Sequence, residues 1–207
     1  MKRKIFLGVI IVIVVVCIGV GVFLLINNRN SSALNDIDIS AEDLNNDNVN
    51  ILIAYYSYND NVLDLAKEIQ NQTGGELWQI ERAVPYTNFE VEALDEINNN
   101  TRPLLDNTNA IEDINEYPVI FVCYPVWWNN APTIINSFLE SYDLTGNVII
   151  PFRISSSDDD ISVNSLRQSV PDNVTVLEGL KLTNEEVTSG SGKEEIANWL
   201  SSFAVFK

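Results

Sequence analysis

The sequence predicts an α/β domain on a five-stranded parallel sheet covered by helices on both faces, and three observations carry that prediction. Short, β-branched apolar runs recur from Val49 to Leu180. Segments with apolar residues at helical spacing separate them, and consecutive parallel strands need such crossovers. A loop with two adjacent tryptophans follows one of the buried runs, at the strand end where open α/β sheets hold their ligands.

Before that domain comes a different kind of chain. Residues 1–4 are basic through Lys2, Arg3 and Lys4. Ile5 to Ile26 are 22 uncharged, almost wholly apolar residues. At helical rise they cover roughly 30 Å, one bilayer core. The positive flank keeps the short end cytoplasmic and the remainder outside. A cleaved signal peptide has a shorter apolar stretch and a small-residue cleavage site, which this run lacks. The expectation is an uncleaved, single-pass anchor at 5–26 with the C-terminal domain extracytoplasmic. Residues 27–49, rich in Asn, Asp and Ser, read as a polar linker.

Within the domain, residues 50–207, the first strand is Val49–Tyr56, ending at Ser57. A helix follows with Val62, Leu65, Ala66 and Ile69 on one face, and Gly74 and Gly75 stop it. Glu76 to Glu81 alternates as a second strand. Arg82 to Asn115 is a longer polar stretch with a helix near Phe89–Asn98. Pro118–Cys123 is apolar enough to be buried on both faces, and its helix is Pro132–Glu140. Asn147–Phe152 is the fourth strand, followed by a Ser/Asp loop and a helix near Ile161–Ser169. Val174–Leu180 is the fifth. The last helix, Lys193–Phe203, places Ile196, Trp199, Leu200 and Phe203 on one stripe, with Ser191 and Glu194 as its capping box.

Charge and composition remove whole function classes. From Asn50 onward there are 8 basic and 24 acidic residues, a net charge of −16. That argues against nucleic acid or anionic lipid as a partner of the domain. The two cysteines, Cys17 and Cys123, fall in the apolar run and a buried strand, so no disulfide joins them. There is no histidine. That excludes Ser-His and Cys-His catalysis and the common zinc ligand sets, and no metal site is expected.

Tyr124-Pro125-Val126-Trp127-Trp128-Asn129-Asn130-Ala131-Pro132 is the most informative segment. Two indoles on a turn each carry an N–H to satisfy, which a core seldom demands. A flat conjugated ligand would use them; a protein-docking patch is the competing reading. With Ile51–Ser57, Phe138–Gly146, Ile149–Phe152 and Val176–Leu180, this segment resembles the flavodoxins, in particular flavodoxin-like proteins with a Tyr-Pro-x-Trp-Trp loop. In that fold FMN lies between the first and third strands.

The resemblance implies a noncovalently bound FMN and electron transfer to a redox partner protein or small acceptor. It carries the phosphate loop onto Ser57, Tyr58, Asn59, Asp60, Asn61 and Val62, where amides, hydroxyls and a helix N-terminus would meet the phosphate. It carries the ring-binding loop onto Pro125, Val126, Trp127, Trp128, Asn129, Asn130 and Ala131. The third loop runs from Arg153 through Ser155 and Ser156 to Asp160. No side chain is expected to act as acid or base. The phosphate loop departs from the family pattern, since Asn59, Asp60 and Val62 replace a hydroxyl, a glycine and a second hydroxyl. A carboxylate about 5 Å from a phosphate costs on the order of a few kcal/mol. Asn59 and Asp60 also suit a plain helix cap, and Arg153 an ion pair with Asp158–Asp160. Three acids beside a flavin would lower its reduction potential. A flavin-free binding or scaffold module with a decayed phosphate site is therefore the alternative.

Overall fold

Parallel pairing of buried strands organises the chain. The computed structural model describes residues 49–58 and 61–202. The strands are β1 (Ile51–Tyr55), β2 (Glu76–Gln79), β3 (Val119–Pro125), β4 (Val148–Ile154), β5 (Thr175–Val176) and β6 (Leu180–Leu182). Their order is β2-β1-β3-β4-β5, with β6 also on β4. Every pairing is parallel. The helices are α1 (Asn61–Thr73), α2 (Phe89–Asn99), α3 (Thr133–Glu140), α4 (Ser162–Gln168), α5 (Asn184–Ser189) and α6 (Gly192–Ser202).

The run of apolar residues in each inner strand has a simple cause: both faces are buried. Odd positions of β1 and β3 (Ile51, Ile53, Val119, Phe121) pack with Val62, Leu65 and Ile69 of α1 and Ile196 and Leu200 of α6. Even positions (Leu52, Ala54, Ile120, Val122) pack with Ile134, Ile135 and Phe138 of α3 and Leu166 of α4. Trp199 meets Phe121 edge-on at 5.9 Å, and Trp78 of β2 lies 5.3 Å from Phe138. The expected sheet with helices on both faces is present. No helix among the described residues is long and apolar enough to cross a membrane; the predicted anchor at 5–26 and most of the linker lie outside them.

Two elements differ from the sequence expectation. The fifth strand is broken in two. Leu177 N–H donates to the Ile149 carbonyl at 3.0 Å, and two residues further along the same edge of β4 stands Pro151, which has no N–H to offer. The outer strand lets go there. Gly179, at φ +69°, passes so close that a Cβ would sit 1.8 Å from the Pro151 carbonyl oxygen. Pairing resumes with Phe152 beside Leu180. The capping box forms on α5 rather than α6: Thr183 and Glu186 satisfy each other's backbone N–H groups, while Ser191 Oγ turns to the Glu186 carbonyl.

Gly179→Ala combines an unfavourable backbone angle with a backbone collision, so it should cost about 3 kcal/mol or more. A urea titration would show the midpoint falling; an unchanged midpoint would refute this account of the break.

Candidate functional site

The crevice forms where the strand order reverses, between the turns leaving β1 and β3. Tyr55 pairs with Cys123, and Tyr56 N–H continues the ladder to the Cys123 carbonyl at 2.9 Å. Tyr56 and the tryptophan loop thereby leave the sheet side by side. On the far side, Val126 N–H donates to the Ile154 carbonyl, and Ile161 N–H to that of Asn129, at 2.8 and 2.9 Å. The β3 loop is thus held between the β1 turn and the β4 loop.

Within that loop, Trp127 and Asn130 exchange both backbone hydrogen bonds at 2.9 Å. The two residues between them, Trp128 and Asn129, have φ values of 45° and 66°. This is the tight hairpin turn with two left-handed residues that Asn-Gly ordinarily forms. Asn129 tolerates it; a tryptophan does so at a cost of order 1 kcal/mol or more. The turn projects the Trp128 ring outward, 45 % exposed.

Trp127 turns inward and is surrounded by rings. Its centroid lies 5.6 Å from that of Tyr56, 6.2 Å from those of Tyr58 and Tyr86, and 4.7 Å from that of Phe89, all steeply inclined. Tyr58 stacks on Phe89 at 4.2 Å, and Trp128 lies nearly parallel to Phe89 at 6.2 Å. Tyr58, Phe89, Pro125, Val126 and both indoles line an open slot of about 320 Å³. Tyr56, Tyr86 and Phe89 were not among the expected site residues. The signal was the two aromatics Tyr86 and Phe89 inside a polar stretch, which strand and helix periodicity passes over.

A charged hub fixes the aromatic wall. Glu96 of α2 accepts from Arg82 Nη1 at 2.8 and 3.1 Å, from the Tyr86 hydroxyl at 2.7 Å and from Thr133 Oγ1 at 3.1 Å. The Arg82 guanidinium lies 3.8 Å over the Tyr86 ring. Both charged side chains are nearly buried. Burial, then the bond to Glu96, pushes the Tyr86 phenol far up. Burial raises Tyr56 to about 12 against the opposing Arg82 charge. Both phenols therefore stay protonated.

The remaining predicted residues divide clearly. Among the described residues Ser57 Oγ is buried with no hydrogen-bond partner, and Tyr58 is exposed and aromatic. Asn59 and Asp60 lie outside the described residues. Asn61 opens α1, while the Val62 side chain is wholly buried in the core. It therefore presents nothing polar, though its amide belongs to the open first turn of the helix. Asn130 N–H is taken by the Trp127 carbonyl; the Trp128 and Asn129 amides find no protein acceptor among the described residues. Ala131 is buried behind the loop. Arg153 is committed: Nε holds Asp160 at 2.6 Å and Nη1 the Glu178 carbonyl at 2.8 Å. Ser155 Oγ accepts from Ser157 N–H, and Ser156 Oγ from Asn184. Of the three acids, Asp160 is paired inside the loop, leaving Asp158 and Asp159 as the exposed charges. No metal-holding cluster occurs among the described residues.

These features define a class: an open α/β domain with an aromatic crevice at its topological switch point. The chain belongs to the flavodoxin family, whose model matches residues 50–203. A candidate flavoprotein from Bacteroides eggerthii is 29 % identical, with a TM-score of 0.62 over 76 % of this chain and 99 % of that one. Another from Bacteroides uniformis is 26 % identical, with a TM-score of 0.58 over 74 % and 98 %. A flavoprotein from Lactobacillus acidophilus, in complex with FMN, shares the fold at 23 % identity and a TM-score of 0.53, over 69 % and 99 %. Comparison with curated proteins gave no match.

Two outcomes follow from the charged groups. Glu96→Gln leaves Arg82 buried without its counter-ion and should cost about 2–3 kcal/mol. Chemical denaturation followed by tryptophan fluorescence would register it, and a neutral result would mean the hub is dispensable. Asp160 titrates below the ordinary aspartate range: burial alone raises it, but the Ser162 bonds and Arg153 outweigh burial. A depressed folded value stabilises the fold above the unfolded pKa of about 3.9, and that stability is lost as pH falls through the folded value. The urea midpoint of the parent should drop on acidification below about pH 4 more steeply than that of Asp160→Asn; parallel curves would contradict the pairing.

Proposed function

We propose that this chain is a membrane-anchored flavoprotein that binds FMN noncovalently and passes electrons to a partner or small acceptor outside the cytoplasm. The observation that carries the reading is Trp127, held among Tyr56, Tyr58, Tyr86 and Phe89 in the switch-point crevice. The FMN complex of the Lactobacillus acidophilus relative supports the choice of ligand. The uncharged run at 5–26 supports the anchor.

The residues present fit such a group. Among the described residues Ser57 Oγ is a buried hydroxyl lacking a partner, in the turn that would take the phosphate end, and α1 begins at Asn61 just beyond that turn. The slot between Tyr58, Phe89 and the indoles has flat apolar walls for a conjugated ring. The Trp128 and Asn129 amides would meet carbonyl oxygens at the ring's polar edge. A bound flavin would supply the redox chemistry, which no side chain here provides. The protein's own part is to bind, to keep water from the ring's covered face, and to hold a fixed field around it. Arg153 neutralises Asp160 within the third loop, so Asp158 and Asp159 alone would disfavour added negative charge on the ring.

A second reading, a flavin-free scaffold, draws on the buried Val62, which leaves the phosphate end one hydroxyl poorer than the family pattern. Titration of the full-length protein with FMN separates the two. Quenching of flavin fluorescence with saturation at micromolar concentrations is the expected result. Trp127→Ala should weaken binding at least about tenfold by removing the centre of the aromatic wall. Absence of quenching in the parent would leave the scaffold reading.

A further inference from the structure

A second cleft opens on the other side of Tyr58, away from the tryptophan slot. It encloses about 400 Å³ and is walled by Tyr56, Tyr58 and Tyr86, with Ser57, Glu81, Arg82 and Asp106 also in its lining. Among the described residues, Tyr58 alone lines both this cleft and the tryptophan slot. Glu81 and Asp106 are brought together by the backbone: Asp106 N–H donates to the Glu81 carbonyl at 2.9 Å, next to the antiparallel bridge of Arg82 and Leu105. Both residues also line an adjoining hollow of about 230 Å³ that ends against Trp78. Two carboxylates thus stand where the hollows meet, with an aromatic surface at either end.

The electrostatics of this groove favour one sign of guest. Neither Glu81 nor Asp106 has an ion-pair partner among the described residues. Asp106 accepts from the Thr108 hydroxyl and amide, which hold its carboxyl below the usual range. Arg82 itself lines the cleft, but its charge is matched by Glu96, so the two carboxylates remain in excess. Tyrosine faces attract cations through the ring quadrupole; Arg82 already covers one face of Tyr86, which leaves Tyr56 and Tyr58 as the wall for a guest. The surrounding domain is strongly acidic and draws cations from a distance.

We propose that this groove binds a small organic cation, a protonated or quaternary amine on an apolar body, with the charge at Glu81 and Asp106 and the body on the tyrosine wall. Such a guest would neighbour whatever fills the tryptophan slot, separated from it by Tyr58. The proposal does not depend on flavin.

Phenethylammonium chloride is the probe, with 2-phenylethanol and phenylacetate as its neutral and anionic counterparts. They would be titrated calorimetrically into the full-length protein, held in mild non-ionic detergent at low salt. Saturable binding of the cation in the millimolar range is expected, with the other two weaker by about tenfold or more. Glu81→Gln, whose side chain makes no bond among the described residues, should weaken the cation several-fold and leave 2-phenylethanol unchanged. Equal binding of all three probes, an unaltered Glu81→Gln, or no saturation by the cation would each overturn the proposal. An FMN titration that fails while the cation binds would strike the flavin reading alone.

Discussion

Pairing of β1 with β3 is the constraint on which the site depends. Five consecutive residue pairs, from Ile51 with Val119 to Tyr55 with Cys123, fix the register. A slip by one would put Phe121 and Val122 on each other's faces and turn the buried run inside out. Because the ladder continues to Tyr56, the two turns that leave the sheet do so in contact. Trp127 meets Tyr56 as a consequence of that register.

The rest of the crevice is secured by charge as well as by its packed rings. Glu96 gathers Arg82 from the segment after β2, Tyr86 from the following loop and Thr133 from α3. The stretch from Arg82 to α2 and the start of α3, 37 residues beyond Glu96, thus meet at one carboxylate. Arg153 serves a similar purpose on the opposite flank, joining β4 to the loop at Asp160 and to the Glu178 carbonyl beside the broken outer strand. Both arginines that approach the crevice are therefore structural ties, and neither is free to meet an anion.

Much of this was legible in the sequence because periodicity and burial report on neighbours in the chain. The inner strands, α1, α3 and the Trp-Trp loop were found from their own residues, and the loop's position at a strand end followed from chain order. The break at Gly179 was not, since its cause sits on another strand: Pro151 reads as an ordinary member of an apolar run until its missing N–H faces β5. The role of Tyr86 and Phe89 was equally hidden, because a polar excursion has no period to betray which of its side chains fold back. Arg153 offered two partners on paper, and only the geometry of Asp160 and Glu178 decides between them.

The absence of histidine acquires a wider meaning beside the other titrating groups. Cys123 is buried and its thiol held well above the usual range, and the phenols of Tyr56, Tyr86 and Tyr124 are displaced upward by burial. With no imidazole and its buried thiol displaced upward, the domain lacks the two side chains whose ordinary midpoints lie nearest neutrality. The domain's negative surface potential is thus set by its acids and bases, with no imidazole switch near neutral pH.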